Sequence, residues 1–263
     1  MFLCSNFKFK MFQGLDQFML SGIDWVLISL SAILIGMSKT GVPGVSMIVV
    51  PVLAMIFGGK LSTGILLPIL ILADIFGVFY YNRHVVWKHL FRALPWAFGG
   101  LLLALWVGNL VNDEQFKSII ALSIFFSIGL LLWRDKSSKS EGSLPHNWWF
   151  AAIMGVTGGF ATMIGNVAGP VFAIYLLSLN LPKNNFIGTT AWFFAIINII
   201  KLPLQILVWQ NITIHSLLID FLVFPFIGFG AWLGIKMVKA IPENNYRWLV
   251  IVITITSALL ILL

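Results

Sequence analysis

Residues 36–46 read GMSKTGVPGVS, and they interrupt two strongly apolar runs, ISLSAILI before and MIVVPVLAMIF after. Ser38, Lys39 and Thr40 bring a cation and two hydroxyl donors. Gly41 and Gly44 let a ligand approach the backbone, and a helix beginning here offers unpaired N–H groups with a partial positive charge. That set of groups suits a small anion. A second interruption, TMIGNVAGP (162–170), supplies Thr162, Gly165, Asn166 and Gly169, which are donors without a formal charge. The two stretches make the halves of a cradle for a small oxyanion. The plainer reading is a snorkelling lysine and a Gly-Pro turn, but a matching break in each half of the chain favours a site.

Three ionisable residues stand inside apolar runs: Asp74 in ILILADIFG, Lys201 in INIIKLPLQ and Asp220 in HSLLIDFLV. Such groups cost about 2.5–3.5 kcal/mol in a bilayer on insertion scales, so they face a bundle interior. Asp74 is placed to neutralise Lys39 or Lys201, as a structural ion pair or as a proton carrier. Asn198 holds the matching position in the second half. Lys201, just before Pro203, is a further candidate for holding an anion, and the proline predicts a kink. Asp220 lies five residues from His215 and is expected at the interface. In GTTAW (188–192), Thr189 and Thr190 are possible substrate donors and Trp192 a cavity wall. Helix capping and packing serve those residues equally well. HExxH, CxxC, P-loop and GxSxG patterns are absent, so no cofactor, metal, nucleotide or serine-hydrolase chemistry is expected.

The elements that must position these residues are membrane helices. Of 263 residues, 60% are hydrophobic and 10% charged, against about 25% charged in soluble domains. The mean hydropathy is +1.00. The fold class is an all-α polytopic membrane protein. The net charge of +7 fits membrane orientation better than nucleic acid. One cysteine, Cys4, leaves no internal disulfide, and residues 1–23 read as an interfacial segment without a signal-peptide pattern. Full spans are expected near 64–81, 93–111, 117–133, 188–208, 214–234 and 246–263. In 24–58 and 148–180 each break is expected to separate two arms of about 13 residues, near 20 Å each.

The chain divides into a first repeat (24–133), a cytoplasmic linker (134–147) and a second repeat (148–263). Val42-Pro43-Gly44 falls on Val167-Ala168-Gly169 at an offset of 125, and Pro95, Gly100 and Asp113 fall on Pro225, Gly230 and Glu243 at an offset of 130. If each broken segment is a re-entrant hairpin, each half crosses three times and the two halves are inverted. Loops 82–92, 134–147, 181–187 and 235–247 then collect ten cations on one face, against Lys8, Lys10, Lys60 and Lys117 on the other. That asymmetry makes the first face cytoplasmic. Inverted repeats with discontinuous helices near the midplane are a construction of secondary transporters.

At SKTGVPG, at NVAGP with AIYLLSLN, and at GTTAWFFAIINIIKLP, the chain resembles the TauE/SafE family of sulfite-exporter-like membrane transporters, over roughly residues 24–263. The resemblance implies a duplicated helical transporter of the bacterial cytoplasmic membrane that moves sulfur-containing or related organic anions. Its partners are then a small anionic substrate and the lipid bilayer, with a homo-oligomer as an option. An anion channel, an intramembrane enzyme and an assembly partner without substrate are the competing classes. The enzyme lacks a nucleophile with a base, or paired acids at one depth.

Overall fold

The computed structural model describes residues 18–42, 44–138, 147–242, 245–246, 248–250 and 252–253. Most of the interfacial segment, Pro43, most of the linker, Glu243 and most of the expected last span lie outside them.

Apolar residues that recur without long polar gaps fold into helices throughout, and no strand occurs among the described residues. In chain order the helices are α1 (Gly22–Lys39), α2 (Val49–Phe57), α3 (Gly59–Tyr81), α4 (Trp87–Leu110), α5 (Asp113–Ser138), α6 (Trp148–Gly165), α7 (Gly169–Ser178), α8 (Lys183–Leu204) and α9 (Ile214–Ala240). Side chains placed at the helix starts satisfy their free N–H groups. Ser21 and Asp24 form a capping box on α1, Thr213 and Ser216 one on α9. Asp113 acts across the fold: its carboxylate accepts from the N–H groups of Gly59 (3.1 Å) and Lys60 (2.9 Å), tying the start of α5 to the start of α3.

Six of these helices are long and apolar enough to cross a membrane: α1, α3, α4, α6, α8 and α9. The expected spans at 64–81, 93–111, 117–133, 188–208 and 214–234 fall on α3, α4, α5, α8 with the turn after it, and α9; α3, α4, α5 and α8 begin before the apolar stretch, because a helix continues past it into charged residues at the interface. The broken segments depart further from expectation. Their arms are 18 and 9 residues in the first half and 18 and 10 in the second, not two equal pieces. Gly36 through Lys39, and Thr162 through Gly165, remain helical. Gly36 and Gly159 serve helix contact and not a turn.

The seams between halves repeat. A Cβ at Gly36 would collide with the Ile227 carbonyl, and one at Gly230 with the Ile33 carbonyl, where α1 crosses α9. In the other half Gly159 meets the Ala97 carbonyl and Gly100 the Val156 carbonyl, where α6 crosses α4. Lipid gives helices little hydrophobic reason to associate, so small residues that admit close backbone approach carry the packing. Each broken segment thus packs on the second unbroken span of the opposite half. Helices α3 and α8 pack antiparallel: Gly64 lies against Asn211, Asp74 bonds Asn198, Gly77 touches Ala191 and Gly188 lies against Tyr81. Outside the seams, Leu103, Trp106, Phe125, Phe221 and Trp232 stand exposed, a belt suited to lipid and to no soluble monomer.

Candidate functional site

Two chain breaks meet inside the bundle. In the first, Thr40 ends α1, and the backbone turns at Gly41 (φ 120°) and Gly44 (φ 95°), the region where a Cβ is strained. In the second, Asn166 ends α6 in the left-handed conformation (φ 56°), and α7 starts with Pro170 in its first turn. Between them lies a cavity of about 600 Å³, open space at its mouth included. The first break contributes Ser38, Lys39, Gly44 and Ser46; the second contributes Thr162, Asn166, Gly169 and Ala173. Leu70 of α3 and Phe186, Thr190, Ala191, Phe194 and Asn198 of α8 complete the wall.

The charged groups form a chain across the two halves. Lys39 Nζ lies 2.8 Å from Asp74 Oδ1, both side chains being nearly buried. Its ammonium also sits 4.7 Å from the centre of the Phe194 ring. Asn198 Nδ2 donates to the other carboxylate oxygen at 2.6 Å. Lys201 is fully buried; its ammonium donates to the Thr162 carbonyl (2.8 Å), to Thr162 Oγ1 (3.3 Å), to Asn198 Oδ1 (3.4 Å) and to Asn166 Oδ1. Formally, two ammonium groups stand against one carboxylate. Because Lys201 takes Asn166 Oδ1, the Asn166 Nδ2 group is left as a buried donor without an acceptor at the cavity wall. An anion entering here meets a spare formal positive charge, a spare amide donor and the hydroxyls of Ser38 and Ser46, which hydrogen-bond each other at 3.0 Å.

The expected residues divide. Ser38, Lys39, Gly44, Thr162, Asn166, Gly169 and Asn198 line the cavity, with Asp74 and Lys201 one contact behind it. Thr40 points away, its hydroxyl donating to the carbonyls of Gly36 (3.0 Å) and Ala231 (3.1 Å) at the α1–α9 seam. Gly41 packs against Val238 and Ile187, and its carbonyl accepts from the Tyr246 hydroxyl. Gly165 faces Ile120 of α5. Thr189 accepts from the Val86 N–H at 3.0 Å and so caps the start of α4, while its neighbour Thr190 reaches the cavity. Trp192 packs against Trp87. Asp220 is buried, 2% exposed. Ser46 and the apolar wall residues were not foreseen. Ser46 follows Lys39 within the same break and was readable; Leu70, Ala173 and Phe194 look like any span residue.

The fold and this buried polar cavity define a polytopic helical membrane protein organised around two broken segments. The family model for the sulfite exporter TauE/SafE family matches residues 28–261, and the chain belongs to that family. Membership implies a membrane exporter of sulfite or a related anion, a transporter and not an enzyme class. Comparison with curated proteins and with solved structures gave no match.

Proposed function

We propose that the chain is a secondary transporter that moves small sulfur-containing oxyanions, such as sulfite, thiosulfate or organosulfonates, across the bacterial cytoplasmic membrane by alternating access. The observation that carries this reading is the meeting of both breaks at one cavity lined by Lys39, with Asp74 and Lys201 one contact behind its wall. The halves form an inverted repeat, a reading supported by antiparallel α3 and α8 and by the bond between equivalent residues Asp74 and Asn198. Residues related by a two-fold axis touch only near that axis, so this pair marks the middle of the bundle. The cavity lining reaches Phe186 and Thr190, near the start of α8 and loop 181–187; we take this end as its mouth, on the face of loops 82–92 and 181–187 that the positive-inside rule makes cytoplasmic.

In the transport step an oxyanion binds Lys39 and the donors of Ser38, Ser46 and Asn166. It competes with Asp74 for Lys39. A proton taken up by Asp74 removes the carboxylate charge that this displacement exposes, which couples anion movement to proton movement. Alternating access then carries the site from one face to the other as the two broken segments shift against their seams.

The test is ligand-dependent thermal stabilisation of the purified protein. Sulfite, thiosulfate or an organosulfonate raises the melting temperature, and chloride and sulfate do not; a response to none of the sulfur anions would contradict the proposal. A channel predicts flux that neither saturates nor shows countertransport.

A further inference from the structure

One face of α8 continues into the turn that follows it. Thr190, Asn198, Lys201 and Gln205, with Phe194 among them, follow at spacings of three and four, so they lie on that face. The face passes from the cavity mouth through the Lys201 contacts and ends at Gln205, about 10 Å beyond Asn198 at 1.5 Å per residue. There the helix changes character: Gln205–Trp209 is a π-helical turn following Pro203. Such turns cluster at functional sites.

Gln205 is fully buried, and neither its Nε2 nor its Oε1 has a hydrogen-bond partner. Trp209, one turn on and 6% exposed, has an unpartnered indole Nε1. Asn211, also 6% exposed, gives its Nδ2 to the Lys60 carbonyl (2.8 Å) and to Thr63 Oγ1 (3.2 Å), and its Oδ1 is left unpartnered. Each buried polar group left unpaired costs about 1–3 kcal/mol. Four such atoms between residues 205 and 211 are a stability cost without a structural return, which points to a function. Lys60 and Thr63 belong to the start of α3, the end opposite to Tyr81 and the cavity mouth.

We infer that Gln205, with Trp209 and Asn211, is a second anion station on the far side of the Lys201 contacts, and receives the oxyanion as it leaves the cavity for the opposite face. This rests on the transport reading above. Gln205 Nε2 and Trp209 Nε1 face the oxyanion's oxygens, and Gln205 Oε1 and Asn211 Oδ1 hold the water that travels with it. Lys201, held by Thr162, Asn166 and Asn198, is the bar between the two stations and must release them for passage.

Two variants test the station. Gln205→Leu removes both orphan atoms, so its melting temperature equals or exceeds that of the unchanged protein. Sulfite still stabilises it, because the cavity is intact, but flux into proteoliposomes falls at least tenfold. Undiminished flux overturns the inference, and so does a lowered melting temperature with flux lost only in proportion to folded protein. Gln205→Cys, with Cys4→Ser to remove the one native thiol, tests the path without assuming a substrate. A membrane-impermeant thiosulfonate reagent applied from the face opposite the cavity mouth labels position 205. Failure to label from that face overturns the station. Labelling there, with no flux of any sulfur anion by the unchanged protein, places the failure in the substrate assignment.

Discussion

Lys39 is the cation of the first break, and its ion-pair partner decides how its role can be tested. Removing one member of a buried ion pair leaves the other charge uncompensated, at a cost of about 3–5 kcal/mol. Lys39→Ala therefore destabilises the protein by that order whatever its role in transport, because Asp74 loses the ammonium 2.8 Å away. The doubly neutral Lys39→Gln, Asp74→Asn variant keeps a hydrogen-bonded pair beside Asn198 and is expected to melt within a few degrees of the unchanged protein. Urea or thermal unfolding of the two variants checks this difference; equal stability would mean that the pair contributes nothing. Residue types on the breaks announced the cavity, and Ser38, Lys39, Gly44, Asn166 and Gly169 all line it. Side-chain direction was not legible. Thr189 and Thr190 are adjacent and chemically identical, yet one caps α4 and the other reaches the cavity, a difference fixed by helix rotation that only packing decides.

Among the helices, the breaks work because the arms on either side are held. Gly36 and Gly159 stand in the two seams, each against a facing carbonyl. Gly36→Leu and Gly159→Leu both overpack a seam and are expected to cost at least ~1–3 kcal/mol each, with loss of the monodisperse peak on size-exclusion chromatography. Gly99→Leu, where an added side chain meets open space, leaves that peak unchanged. Parallel loss at Gly36 and Gly159 is the expectation; tolerance of either would separate that seam from the fold. The offset that pairs Gly100 with Gly230 was visible in the spacing, and the two glycines stand in corresponding seams. Arm lengths were misjudged because glycine, serine and threonine were read as breakers. Inside a helix bundle they are contact residues.

At the scale of the whole molecule, the account needs the two ends of α3 and α8 to face opposite sides of the membrane. Asn184, near the cavity mouth, and Asn112, near the Gln205 end, are both exposed. With Cys4 replaced by Ser, Asn112→Cys is expected to react with an impermeant maleimide on intact bacterial spheroplasts, and Asn184→Cys only after permeabilisation. Labelling of both from one side would refute the arrangement, and the reverse pattern would refute the sidedness taken from the cation count. That count was readable from the order of cations along the chain once each break was read as re-entrant. The Gln205 station was not, since a glutamine near the end of an apolar helix looks like an interfacial residue until its burial is known.

The central claim is that the two breaks form one oxyanion site with Lys39 at its charged end, and the most direct measurement is sulfite-dependent stabilisation of the doubly neutral variant beside the unchanged protein. The account predicts that sulfite raises the melting temperature of the unchanged protein and leaves that of the folded Lys39→Gln, Asp74→Asn protein where it was. An equal rise in both would contradict it.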